Sequence, residues 1–362
     1  MQQVTGMEVL NNRIVFTKTK NERKSSQKLA ISLWILVART DVPYILHTIP
    51  HLLRSCNYPF VERVIAMDTA PLTGDKRYRY DTGSQEQLDQ ACQTLIDQGI
   101  IDKIVKIDYS PNLIETIYEK YFGSEQAPQM LTHTHNWKGS TVYASLYCIE
   151  ASASDYYLHF DADMLLYQEK DYDWISESIK LMESVPTIGA IRPRCGPPHP
   201  EGKKVDPETF VIDERGFYSH KFFSMRAYLV DRNRFAKLSP IPLMWKFPPL
   251  LSRHLPQPLQ TIAGKIERRL RNTKGPVKGA IESFEPMTSE RLLATDFVRA
   301  DLLSTQAWTI HPPKHSAEFI EALPKLIQLI EKGEYPLEQA GYYDLILEAW
   351  FQLLETYNSA SS

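Results

Sequence analysis

The chain has 362 residues, 43% hydrophobic and 23% charged, with a formal net charge of −3. That length supports one large domain or two modest ones, each with a sizeable core. The near-neutral balance gives no electrostatic reason for nucleic-acid binding.

The stretch before residue 29 is polar and lacks the apolar centre of a signal peptide. Val9 to Thr17 reads as an edge strand and Lys18 to Lys28 as a solvated basic link. Ile31 to Ala38 is a near-continuous apolar run, as expected of a parallel strand covered on both faces, and too short to span a bilayer. Arg39-Thr40-Asp41 ends it, and Pro43 opens a helix with Ile45, Leu46, Ile49, Leu52 and Leu53 at helical spacing. A second strand, Val61 to Met67, ends at Asp68. Leu72 to Gly83, with Tyr78 and Tyr80, reads as a mobile loop. A helix from Ser84 to Gln98 stops at Gly99. A third strand, Ile100 to Ile107, ends at Asp108, and Asn112 to Tyr121 is helical. After a loop with His133 and His135, Lys138-Gly139-Ser140 is expected to open a helix through Ala153. The four cysteines, Cys56, Cys92, Cys148 and Cys195, form no Cys-x-x-Cys pair, so they read as reduced thiols in a cytoplasmic protein.

Tyr156 to Phe160 is an aromatic-rich strand followed by Asp161-Ala162-Asp163. Along a strand the two carboxylates share a face. Like charges on an apolar surface repel and lose hydration, and a divalent cation with oxygen ligands compensates them. Strands alternating with helices predict an open parallel sheet, whose ligands bind outside the carboxyl ends of the strands. Arg39, Asp68, Asp108 and Asp161 all fall at such ends.

Further on, Asp171 to Ser184 reads as a helix, Thr187 to Arg192 as a strand, and Arg194 to Pro200 as a stiff loop. Tyr218 to Val230 reads as one strand, with Asp231 capping a helix. Leu243 to Ala280 carries eight basic side chains against one acid. It reads either as a solvated insertion or as a surface for a membrane or an anionic acceptor. Phe284-Glu285 leads into a helix to about Ala294, and Ala307 to Ile310 is a strand ending at His311, with His315 close behind. Two closing helices, near 316–332 and 342–357, carry apolar stripes that read as core or as a homodimer face.

This order of parts resembles the GT-A glycosyltransferases, most closely the family-2-like inverting enzymes, over residues 31 to about 315. The likeness rests on the first strand ending at Arg39-Thr40, Asp68 after the second, Lys138-Gly139, Asp161-Ala162-Asp163, Phe284-Glu285, Arg299, and Trp308 to His311. It implies a Rossmann-like, mostly parallel sheet flanked by helices. The implied segments are 1–28 (flexible), 29–195 (nucleotide-sugar half), 196–315 (acceptor half with the insertion at 243–280) and 316–362 (C-terminal helices). It implies Mn²⁺ or Mg²⁺ held by Asp161 and Asp163, with His311 or its rival His315 completing the shell. Arg39, Thr40, Asp68, Lys138 and Asp161 would contact a nucleotide-diphosphate sugar, and Arg194 is a further phosphate candidate. Glu285 would be the general base, with Glu290 and Asp296 as reserves. The acceptor is a glycan, a lipid-linked or a small molecule, and membrane contact would run through 243–280 at the inner face. The sequence departs from the family in having Glu285-Pro286 where an acid pair is usual, and in lacking a Gln/Arg-x-x-Arg-Trp motif. Two other readings remain: a haloacid-dehalogenase-like phosphatase, although Leu165 stands where that motif has Thr or Val, and a non-catalytic nucleotide-sugar-fold module.

Overall fold

The computed structural model describes residues 29–79, 81–202, 210–246 and 280–360, two short strands near the N-terminus, and the isolated residues 256, 259 and 262. The basic stretch 18–28 and almost all of the insertion 247–279 lie outside the described residues. The N-terminal pair, β1 (Glu8–Leu10) and β2 (Arg13–Val15), forms an antiparallel hairpin where a single edge strand was expected.

The apolar run becomes β3 (Ile31–Val37), followed by β4 (Glu62–Met67), β5 (Lys103–Lys106) and β6 (Tyr156–Asp161). After β7 (Leu165–Gln168) come β8 (Ile188–Arg192), β9 (Arg194–Cys195), β10 (Phe210–Asp213), β11 (Phe217–His220) and β12 (Ala227–Asp231). The last are β13 (Trp245–Lys246), β14 (Ala280–Ile281), β15 (Val298–Leu302) and β16 (Ala307–Ile310). Among the described residues nine strands form one sheet in the order β10-β11-β15-β8-β12-β6-β3-β4-β5. Only β11 and β12 run against the other seven (9 − 2). The mostly parallel α/β sheet is therefore observed. β11 and β12 appear where one strand from Tyr218 to Val230 was expected, because Lys221 to Arg226 leaves the sheet between them.

The chain winds outward from β3 through β4 to β5, then returns to place β6 on the other side of β3. That reversal is a topological switch point, where the loops after neighbouring strands part and leave a crevice. A second sheet, β7-β16-β9, stands beside it. Its strand β7 begins two residues after Asp163, and Ile310 pairs with Leu165. The end of β16 therefore arrives next to the turn that carries Asp163.

One core cluster joins Leu33, Ile35 and Phe160 of the main sheet to Phe319, Leu323, Leu326 and Ile330 of the helix Ala317–Glu331, and to Trp350 of the helix Leu347–Ala360. The C-terminal apolar stripes are thus core. Expected helices form at Ile45–Cys56, Gln85–Asp97, Pro111–Phe122, Trp174–Ser184 and Phe284–Leu293. Ser84 closes a reciprocal cap with Gln87, which fixes the start of the second of these. The helix expected from Lys138 begins only at Tyr143. Before it, the Asn136 side-chain carbonyl accepts from the backbone of both Lys138 and Ser140, and this holds the segment as a turn.

Candidate active site

A cleft of about 340 Å³ opens at the switch point. Thr40 and Asp41 reach it from the end of β3, Asp68 from β4, and Asp161 to Asp163 from β6. Glu285 enters from the first turn of Phe284–Leu293, and Arg226 from just ahead of β12. Lys76, Arg79 and Lys138 line it from two loops.

The two carboxylates of the Asp-x-Asp do not share a strand face. β6 ends at Asp161, and Asp163 lies in the turn closed by the Met164 N–H donating to the Asp161 carbonyl. Both line the cleft nevertheless, with opposite surroundings. Asp161 is 42% exposed and accepts from His159 Nε2 at 3.1 Å. Asp163 is buried; its Oδ2 lies 3.0 Å from His315 Nε2 and 3.5 Å from His311 Nε2, while its Oδ1 is buried without a hydrogen-bond partner. Burial alone would raise the Asp163 pKa, but the two imidazoles outweigh it and hold the carboxyl well below the usual range. The rival histidines are therefore both present on one oxygen. His315 stacks on Tyr44 with centroids 4.7 Å apart, and Arg79 donates to its Nδ1 at 3.1 Å.

Among the described residues no three His, Cys, Asp or Glu side chains stand in a ready-made metal cage. Asp163 is instead hydrogen-bonded to His315 and faces His311 at ion-pair distance. Their chemistry still fits a divalent cation of the manganese type, which takes carboxylate and imidazole together. The orphaned Oδ1 of Asp163 is the observation that favours it, because a buried carboxylate oxygen without a donor is costly.

Glu285 accepts from the Met225 N–H at 2.8 Å, and burial pushes its carboxyl above the ordinary value. Glu290 and Asp296 are exposed and lie outside the cleft lining, so neither reserve reaches the cleft. Asp68 is present, but its oxygens are engaged. Oδ1 accepts from the Tyr109 hydroxyl at 2.7 Å and the Ala70 N–H at 3.0 Å, and Oδ2 faces His135 Nε2 at 2.8 Å. Burial raises its pKa less than these partners lower it, leaving it depressed. Arg39 lies outside the lining, since its short 3-10 turn sends Thr40 and Asp41 inward. Asp108 is likewise outside; its Oδ1 caps the turn at Ser110. Arg194 is buried against Tyr218, donating to that hydroxyl at 3.0 Å, so it is not a phosphate contact. Arg299 is also buried, in an ion-paired group around Asp301 with Arg192.

Lys138 does line the cleft, held by a contact between two loops. A Cβ on Gly74 would lie 2.4 Å from the Lys138 backbone, and one on Gly139 would lie 2.0 Å from the Thr73 carbonyl oxygen. Both glycines have positive φ, so the loops touch backbone to backbone, as only glycine permits. The Asp75 N–H donates to the Lys138 carbonyl at 3.1 Å. Lys76 and Lys138 are thereby brought to one wall, and 74–78 is a 3-10 turn rather than the mobile loop expected.

Asp41, Lys76, Arg79, Asn136, Ser145 and Arg226 also line the cleft, and sequence reasoning had not assigned them to it. Asn136 followed by Gly139 carried a turn signal that was read as a helix start. Arg226 carried none, since its place depends on β12 pairing with β6.

The molecule is thus an α/β protein with a doubly wound sheet and a charged cleft at its switch point. No protein-family model matches the chain, and no curated protein matches it. Solved structures resemble it, among them the following two. One is of GalNAc-T7 with UDP, GalNAc and Mn²⁺, at TM-score 0.40 and 10% identity, covering 79% of this chain and 44% of that one. The other is of S. aureus TarS, at TM-score 0.34 and 8% identity, covering 83% and 39%. The chain spans less than half the length of either, and likenesses this loose fix neither family nor activity.

Proposed function

We propose that the protein is a metal-dependent glycosyltransferase of the GT-A type, moving a sugar from a nucleotide-diphosphate donor to a glycan, lipid-linked or small-molecule acceptor with inversion. The observation that carries this reading is the composition of the cleft, lined together by the carboxylates Asp161, Asp163 and Glu285 and the cations Lys76, Arg79, Lys138 and Arg226. Asp163, Asp161, His311 and His315 are the residues that would hold Mn²⁺ or Mg²⁺. Such a cation, when bound, neutralises charge on a departing diphosphate without proton transfer.

The remaining chemistry belongs to the chain. Lys76, Arg79 and Lys138 give the leaving diphosphate fixed cations in a partly desolvated cleft, where they act more strongly than in water. Thr40 and Asp68, beside the ends of β3 and β4, would meet the nucleoside, Asp68 by exchanging one of its present partners for it. Glu285 is the base: an inverting displacement needs one carboxylate to take the acceptor proton, and burial has raised its affinity for that proton. The phosphatase reading is weaker, because its motif belongs on a first strand and here it follows β3, β4 and β5.

The test is thermal unfolding with a panel of nucleotides and nucleotide sugars, each with and without Mn²⁺. A ligand that binds only the native state stabilises it by about 2.7 kcal/mol at a hundredfold excess over Kd. A metal-dependent shift with one nucleoside diphosphate, lost in Asp163→Ala, is expected. No shift with any nucleotide would sink the assignment.

A further inference from the structure

The residues after His311 do more than complete the core. The His311 N–H donates to the Tyr343 carbonyl at 3.0 Å, and the Leu345 N–H donates to the His311 carbonyl at 2.8 Å. This pairing brings both Tyr343 and Asp344 against His311. The Tyr343 ring stacks on His311 with centroids 6.1 Å apart, and the Arg226 guanidinium lies 5.7 Å from the same ring.

Two side chains compete for one nitrogen of His311. Arg226 Nη1 lies 2.8 Å from Nδ1, and Asp344 Oδ1 lies 3.3 Å from it. They demand opposite states of the neutral ring. A guanidinium only donates, so it requires a bare Nδ1 and puts the proton on Nε2, facing Asp163. A carboxylate only accepts, so it requires the proton on Nδ1 and bares Nε2 toward Asp163. Arg226 and Asp344 also lie 3.3 Å from each other, so the rival not in use retains a partner.

We propose that Asp344 is a positioning residue for this site, and that Arg226 and Asp344 together form a tautomer switch on His311. In the free protein Arg226 holds Nδ1, and the Nε2 proton faces Asp163 Oδ2, with Nε2 and Oδ2 3.5 Å apart. Were His311 to ligate a cation through Nε2, its proton would sit on Nδ1 and donate to the Asp344 carboxylate. Arg226, which already lines the cleft beside Asp161 and Glu285, would then be free to meet an anionic ligand there. Cation and anion binding are thereby coupled through one imidazole. The ligation step rests on the metal-dependent reading above; the competition for Nδ1 does not.

The experiment therefore has a part that needs no ligand. Imidazole ¹⁵N shifts of His311 in mildly alkaline buffer are expected to show the Nε2–H tautomer in the full chain and Nδ1–H in Arg226→Gln. Adding Asp344→Asn to that variant should abolish the Nδ1–H preference. An Nε2–H signal unchanged in Arg226→Gln would overturn the proposal. The second part is titration with Mn²⁺ alone. Asp344→Asn should lower affinity by about 10–100-fold, as for other carboxylate partners of ligating histidines. Asp344→Glu should restore most of it, and melting should stay close to wild type throughout. Wild-type affinity in Asp344→Asn would remove Asp344 from the site. If the unmutated chain binds no Mn²⁺, the metal reading falls, and the ¹⁵N result alone decides the competition.

Discussion

Asp163 and Glu285 are both buried carboxyls, yet their surroundings shift them in opposite directions. Imidazole donors hold Asp163 ionised, while at Glu285 burial outweighs the Met225 N–H and the charges of Arg226 and Arg192. A carboxyl whose folded pKa is raised stabilises the protein below its unfolded pKa, and that contribution is lost as pH rises through the folded value. At neutral pH Glu285 is thus a cost to stability at the position proposed for the base. Glu285→Gln is therefore expected to lower kcat by about 10²–10⁴-fold while raising the melting temperature at neutral pH. If the proposed activity holds, the pH–rate profile of the unmutated protein should fall on an acid limb above the ordinary carboxylate range. Full activity in Glu285→Gln would move the base elsewhere. Asp163→Ala should instead remove metal-dependent donor binding, with nucleotide titration as the measurement.

At the scale of elements, the cleft depends on segments being pinned in places where local sequence is weak. The Gly74–Gly139 contact is one such pin. Gly139→Ala must part the two loops, since its Cβ cannot lie 2.0 Å from a carbonyl oxygen. The expected result is a loss of about 1–3 kcal/mol in urea unfolding together with weaker nucleotide binding, because Lys76 and Lys138 separate. Unchanged nucleotide affinity would mean that the lysine wall is not used. His51 is another pin. Its Nε2 accepts from the Leu166 N–H at 3.1 Å, and its Nδ1 donates to Glu331 at 2.9 Å, joining the helix Ile45–Cys56 to β7 and the helix Ala317–Glu331. Burial holds its pKa below the ordinary histidine value despite Glu331. A depressed folded pKa means stability that is present above the unfolded pKa and lost as pH falls. Unfolding free energy should accordingly drop as pH falls below about 6.5, and His51→Gln should flatten that part of the profile.

Much of this arrangement was legible from local pattern. Ile31 to Ala38 read as a covered strand, and Ile31–Val37 is one; the helix read from Ser84 begins there, with Ser84 as its N-cap. Asp161 and Asp163 stood out because a strand preceded them. What local pattern does not carry is pairing between distant segments. Arg226 reaches the cleft because β12 lies against β6, and His311 reaches Asp163 because β16 pairs with β7. Lys138 was found by motif and placed on the wrong element, since side-chain capping by Asn136 overrode the helical pattern. Arg194 was misread because nothing local distinguishes a loop arginine from one buried on a tyrosine.

At the scale of the molecule, one core cluster holds the first strand and the last helix, so the C-terminal block belongs to the same folding unit as the sheet. Its hub is Gln339, fully buried. Its Oε1 accepts from Trp350 Nε1 and the Ile346 N–H, both at 2.9 Å. Its Nε2 donates to the carbonyls of Tyr342 and Asp344, at 2.9 and 3.1 Å. This one amide fixes the segment that presents Tyr343 and Asp344 to His311, and seats Trp350 in the core. Trp350→Ala removes a fully buried indole and should cost about 3–5 kcal/mol, with the urea slope unchanged. Far-UV dichroism and intrinsic fluorescence should report a single transition, because no boundary separates the block from β3 and β6. Two separated transitions would instead make the C-terminal block an independent unit, and its delivery of Asp344 to the site would then vary with its own stability.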